Sequence, residues 1–228
     1  MVSVPVVKPP ERPVFTAKLS WSALIWFGAL LILCYAPILY RLVFQWATDE
    51  DMGHGFFVPI VAGIIVWQRR KELLAAPRRS NGWGLALVIF AGCEALVATL
   101  GAELFTARLA FVIALFGVVL YLGGKQWVKI LLFPLLLMLF MIPIPQIIYA
   151  ALTLKLQMIA SGLGETLITW MGIPVFRTGN VLHLPSQNLD VAEACSGIRS
   201  LLSLGFLSLV YAYFADKRVW MRWALLIA

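Results

Sequence analysis

Three side chains have the types and surroundings that catalysis needs. Cys195 sits in Asp190-Val191-Ala192-Glu193-Ala194-Cys195-Ser196-Gly197-Ile198-Arg199, immediately before an apolar run to Phe214. A thiolate is the nucleophilic form of cysteine, and both a helix N-terminus and a nearby cation favour it. Arg199 lies four residues on and so shares a helical face with Cys195. An arginine one turn inside an apolar segment is costly unless it has a partner or a task. His54, in Asp51-Met52-Gly53-His54-Gly55, could serve a thiol as general base.

A plainer account fits the same residues. Cys195 would be a packing thiol, with Ser196 and Gly197 allowing close helix approach and Arg199 paired to Glu193 or Asp190. His54 would cap a helix end, and His183 would be a surface residue. Cys34 and Cys93 fall among apolar neighbours, where a thiol acts as a small buried hydrophobe. Glu94, ionisable in mid-span, is simplest as one half of a structural lock with Arg108.

The elements that must position these groups belong to a membrane protein. Of the 228 residues 62% are hydrophobic and 13% charged, with a mean hydropathy of +0.92. Soluble domains run at about 45–50% apolar and about 25% charged. A water-soluble globule, a disordered chain, a disulfide scaffold and a coiled coil are all excluded. The net charge of +7 is scattered between apolar stretches, which marks cytoplasmic loops and implies no nucleic-acid partner. With no zinc-type ligand cluster, phosphate-binding glycine loop or serine-hydrolase elbow, the sequence calls for no cofactor and no metal.

A spanning helix needs about 20 apolar residues. Trp21 to Tyr40, Trp83 to Leu100, Leu104 to Gly123, Ile130 to Leu154 and Cys195 to Phe214 qualify, and Gly55 to Trp67 does so by recruiting flanking residues. Pro134, Pro143 and Pro145 must bend or end the helix in which they fall. Trp223 to Ala228 starts a seventh span and stops. The expectation is an all-α, multi-pass transmembrane helical bundle of six full spans plus a truncated seventh. Residues 1–20 form a cytoplasmic N-terminal tail and residues 21–228 the membrane domain. The first span is retained, since it is too long for a signal peptide and lacks a clear cleavage site.

Charge sets the orientation. With the N-terminus inside, cytoplasmic segments hold Lys8, Arg12, Lys18, Arg69, Arg70, Lys71, Arg78, Arg79, Lys125, Lys129, Lys217, Arg218 and Arg222, which is 13 of the 18 basic residues. The opposite side collects Asp49, Glu50, Asp51, Glu103, Glu165, Asp190 and Glu193. From Gln146 to Ala194 the chain stays outside. Its first half has the apolar spacing of a helix lying on the membrane, broken at Gly162 and Gly164. Its second half reads as a small hairpin around Thr178-Gly179-Asn180, leading into the cysteine helix.

The stretch Leu189-Asp190-Val191-Ala192-Glu193-Ala194-Cys195-Ser196-Gly197-Ile198-Arg199-Ser200-Leu201 resembles the exosortase/archaeosortase family. Gly53-His54-Gly55 running on to Trp67-Gln68-Arg69-Arg70 is similar to that family's Ser-His-Gly start. Met141-Ile142-Pro143-Ile144-Pro145 is similar to its Pro-x-Pro helix end. Gly172-Ile173-Pro174-Val175 and Gly179-Asn180 through Leu184-Pro185 resemble its external segment. The similarity covers most of residues 21 to 228.

The resemblance implies a cysteine-type membrane transpeptidase of the bacterial inner membrane, with Cys195 as nucleophile at the external face. Its partners would be membrane lipid and secreted proteins carrying a C-terminal Pro-Glu-Pro-type sorting signal. Such a signal is cut through an acyl-thioester and the new carboxyl end passed to an acceptor. Arg199 is a candidate thiolate stabiliser and His54 a candidate base. The family's further catalytic residues, an Arg in an Asn-x-x-Arg motif and a His or second Arg, fall on helices beyond the cysteine span. The 228 residues end before either, so the expectation is of a chain cut off at its C-terminus, with a degraded and inactive member as the alternative. The alternative to an enzyme is a non-enzymatic membrane component of extracellular polysaccharide assembly.

Overall fold

The computed structural model describes residues 21–77, 79–192 and 197–215. The expected tail 1–20, Arg78, the centre of the cysteine motif at 193–196 and the start of a seventh span lie outside the described residues. The described chain is mostly helical, with three short strands, and divides into two compact units. Of the described residues, one comprises those within 21–41 and 60–139, the other those within 42–59 and 140–215.

Two helices dominate the first unit: α5 (Gly82–Leu100) and α6 (Leu104–Leu137), preceded by α1 (Trp21–Cys34), α2 (Ala36–Thr48), α3 (Phe57–Gln68) and α4 (Arg70–Ala75). The α5 boundary is a side-chain cap, Asn81 Oδ1 accepting from the Trp83 N–H at 3.1 Å. After a short turn Glu103 caps α6, its carboxylate accepting from the N–H groups of Phe105 and Thr106 at 3.4 and 2.7 Å. Those hydrogen bonds to Thr106 and Phe105 hold the Glu103 carboxyl below its ordinary range. The brevity of the turn forces α5 and α6 side by side and antiparallel. At Gly84 their backbones come so close that a Cβ would stand 2.3 Å from the Tyr121 nitrogen, which only glycine permits. The helical backbone of α6 is interrupted at Gly124 (φ 71°, ψ −165°), one residue past the expected span end at Gly123.

In the second unit Trp46 and Leu42 lead to a 3₁₀ segment, Glu50–Phe56, begun by Asp49. A 3₁₀ turn at Met138–Met141 and the prolines Pro143 and Pro145 precede α7 (Gln146–Trp170). Three antiparallel strands follow in the order β1 (Phe176–Thr178), β2 (Val181–His183) and β3 (Asn188–Asp190). The expected hairpin is present, with Thr178 opposite Val181. Gly179 takes a φ of +66° while Asn180 stays negative, the pattern of a II′ turn whose twist suits paired strands. The sheet packs on α7 through Leu182 beside Gly164, Ser161 Oγ donating to Gly179 O at 3.2 Å, and Arg177 paired with Glu165 at 2.9 Å. Then comes α8 (Ile198–Ala215).

Several expected spans are corrected. The first is not one straight helix: α1 and α2 meet at an angle of 74°. Pro37 is the cause, because it has no N–H to give and its ring crowds the preceding turn. α3 has 12 residues, about 18 Å of helix, too short to cross a bilayer core of about 30 Å. No single helix covers Ile130 to Leu154, since the backbone leaves the helix between Leu137 and Gln146 around the two prolines. α7 is one continuous helix of 25 residues, so Gly162 and Gly164 do not break it. A helical glycine costs only about 1 kcal/mol against alanine, less than the surrounding helix formers supply. By length and composition α5, Leu104–Met141 and α7 could cross a membrane, with the bent α1–α2 pair as a fourth candidate, and α8 falls among the shorter apolar helices.

Two expectations about buried groups also change. Glu94 and Arg108 make no ion pair, each keeping a buried polar atom without a hydrogen-bond partner among the described residues. Cys34 and Cys93 are exposed on their helices rather than packed inside.

Candidate functional site

The chemistry-bearing residues of the second unit converge on the 3₁₀ segment Glu50–Phe56. Asp49 fixes its start, Oδ1 accepting from the Asp51 N–H at 3.0 Å. Gly55 fixes its far end: the indole of Trp46 lies so close that a Cβ there would stand 2.4 Å from Nε1. That indole donates to the Met141 carbonyl at 3.0 Å, tying the segment to the turn before Pro143. Phe56 closes over Trp46 edge-on at 5.3 Å. The glycine after His54 therefore makes room for the tryptophan.

Asp51 points at two other elements. Its Oδ2 accepts the Tyr149 hydroxyl at 2.6 Å, and its Oδ1 binds Nε of Arg199 in an ion pair. Tyr149 stands on the first turn of α7 and is buried; Arg199 is the second residue of α8 and half exposed. The Tyr149 hydroxyl is the main cause that holds the Asp51 carboxyl below its ordinary range; burial, the next in size, opposes it, and the hydrogen bond and charge of Arg199 add to the lowering. Three segments far apart in sequence are thus joined at one carboxylate.

His54 faces α8 as well. Its ring lies 6.1 Å from that of the buried Phe206, which in turn meets Phe140 at 6.3 Å. The His54 Nδ1 atom is buried and has no hydrogen-bond partner among the described residues. An imidazole nitrogen held away from water and unclaimed leaves a hydrogen-bonding position open to a polar partner.

Of the three expected site residues, the structure brings His54 and Arg199 to the same pair of elements, the 3₁₀ segment and α8. Cys195 lies outside the described residues. Of the two partners expected for Arg199, Glu193 lies outside the described residues, and Asp190 accepts from Asn180 Nδ2 at 2.9 Å. His183 bonds Asn188 through Nδ1 at 2.8 Å and stacks on Phe176, away from this cluster.

The cluster and the cysteine motif both lie inside one family match. The sequence model of the transmembrane exosortases covers residues 46–228. This chain belongs to the transmembrane exosortase family. No curated protein and no solved structure matches it. Exosortases are cysteine-type membrane transpeptidases, and the matched region of this exosortase includes Asp51, His54, Tyr149, Cys195 and Arg199.

Sequence reasoning missed Asp51 and Tyr149 as members of this cluster in the exosortase chain. Asp51 was visible beside Gly53-His54-Gly55, but its partners stand 98 and 148 residues away. Tyr149 sits among the apolar positions of α7 with no local pattern to set it apart. The available signal was indirect: an arginine in the cysteine motif must find an anion, and Asp51 is one of the few on the expected external side.

Proposed function

We propose that this exosortase is a cysteine protease and transpeptidase of the bacterial inner membrane, with its site at the external face. Its substrates would be secreted proteins held in the bilayer by a C-terminal helix behind a Pro-Glu-Pro-type motif. The observation that carries the reading is the meeting of Asp51, Tyr149 and Arg199 at the start of α8, three residues after Cys195 in sequence, with His54 of the same 3₁₀ segment facing Phe206 further along that helix.

In the proposed reaction the Cys195 thiolate attacks the scissile carbonyl and a carbon–sulfur bond forms. Breaking the carbon–nitrogen bond then releases the signal helix, its new amine taking a proton. An acceptor nucleophile, amine or hydroxyl, attacks the thioester, gives up its proton and frees the thiol. His54 is the candidate proton carrier, within general-base chemistry that contributes about 10²–10⁴-fold. Arg199 can serve both Asp51 and a developing negative charge, because a guanidinium carries five N–H donors in a fixed fork. Asp51 and Tyr149 would hold that fork in place.

The external placement has its own support. The sheet packs on the C-terminal half of α7, with an Arg177–Glu165 pair and exposed residues along β3. A polar sheet there suits the membrane surface better than its core, since unsatisfied backbone groups are costly in lipid. Exposed Ile147, Ile148, Ile159, Leu163 and Trp170 would give α7 an apolar face for the bilayer.

The test is a secreted reporter with a Pro-Glu-Pro-type tail, co-expressed with the full reading frame carrying Cys195 or Cys195→Ala. Loss of tail processing in the variant alone is the expected result, and the product mass distinguishes hydrolysis from transfer. Equal processing by both would remove Cys195 from the mechanism.

A further inference from the structure

In the first unit the start of α2, the end of α5 and the start of α6 enclose a cavity of about 60 Å³. Arg41, Thr99, Glu103, Ala107 and Arg108 are among its lining residues. Arg108 is 4% exposed, and its Nε has no hydrogen-bond partner among the described residues. A guanidinium buried this deeply needs an anion, because a buried charge without a partner is strongly unfavourable. Glu94 makes no ion pair with Arg108 among the described residues. Glu103 lines the same cavity and attracts Arg108 through space, but its hydrogen bonds go to Phe105 and Thr106.

Two guanidinium groups and one carboxylate leave the cavity one positive charge in excess. Paired arginine forks match the two unbridged oxygens of a phosphodiester, which carries one negative charge. The volume holds about four water-sized groups, enough for a phosphate but not for a whole lipid. Both α5 and the helix Leu104–Met141 could span a membrane, which sets the turn between them at the surface, where headgroups lie. Leu96, Val97 and Leu100 stand exposed on the adjoining flank of α5 and would accompany acyl chains.

We propose that this cavity is an anion site taking the phosphodiester of a monoanionic phospholipid, with Arg108 and Arg41 as its ligands and the tails along α5. The site is independent of the cysteine chemistry. Native mass spectrometry of the full chain in detergent tests it, with phosphatidylglycerol, diacylglycerol or inorganic phosphate added at equal concentration.

The expected result is one retained phosphatidylglycerol and no retained diacylglycerol. Arg108→Gln and Arg41→Gln should each lower retention about tenfold, the loss of one charge-assisted contact. Lys71→Gln, an exposed charge on α4, should leave retention unchanged. Arg41 is exposed, so its variant keeps the test alive if Arg108→Gln fails to fold. Retention of inorganic phosphate alone would keep the anion site and overturn the lipid as its occupant. Equal retention of diacylglycerol, or equal retention by both arginine variants and the parent chain, would overturn the site.

Discussion

Replacing Asp51 by asparagine is the sharpest probe of the site, because it removes a charge while keeping the shape and one acceptor oxygen. The Arg199 side chain is 49% exposed and that of Asp51 21%, so their ion pair must be discounted for solvent and is worth about 0.5–1 kcal/mol. The Tyr149 hydroxyl bond is charge-assisted and comes from a buried ring, so weakening it costs about 1–2 kcal/mol. The expected loss for Asp51→Asn is therefore about 1.5–3 kcal/mol. Tyr149→Phe should recover the second part alone, and Arg199→Gln the first. The assay is thermal unfolding of the detergent-solubilised chain in a double-mutant cycle. A coupling of about 0.5–1 kcal/mol between Asp51→Asn and Arg199→Gln is expected. Strictly additive losses would refute the bridge, and losses within about 0.5 kcal/mol of zero would place Asp51 among ordinary surface residues.

The pH dependence follows in sign. The Asp51 carboxyl is held below its ordinary value of 3.8, so its stabilisation is fully present above about pH 4 and is lost as pH falls through the lower folded value; Asp51→Asn should flatten that acid limb of the unfolding curve. Gly84→Ala should destabilise the α5–α6 pair by about 1–3 kcal/mol, read in the same assay, since its Cβ would collide with backbone rather than with a side chain able to move. Trp46→Phe should cost about 1 kcal/mol for the lost indole bond to Met141, with tail processing as a second readout of a displaced 3₁₀ segment. Cys34 and Cys93, exposed on their helices, should react with a lipid-soluble maleimide, and their replacement by alanine should leave reporter processing unchanged.

Much of the local structure was legible in the sequence because its causes are local. Gly179-Asn180 is a turn signal, and Pro143 and Pro145 end a helix wherever they stand. What escaped depends on distance or on competing small terms. Asp51 and Arg199 are joined across 148 residues, and no periodicity announces such a pair. Gly162 and Gly164 looked like a break because propensity was given more weight than the surrounding leucines and isoleucines of α7. The expected Glu94–Arg108 lock failed because proximity in neighbouring spans does not bring two side chains within reach. The bend at Tyr35 was overlooked because an uncharged apolar run hides a single Pro37.

The bridge between Asp51 and Arg199 also sets an order in time. At about 5–20 residues per second, translation delivers Arg199 roughly 7–30 s after Asp51. In between, the ribosome must produce α5, α6 and α7, so the carboxylate waits unpaired while the membrane helices are inserted. The arginine arrives directly behind Cys195 in synthesis and completes the bridge. The cluster therefore cannot assemble until synthesis has passed four residues beyond Cys195.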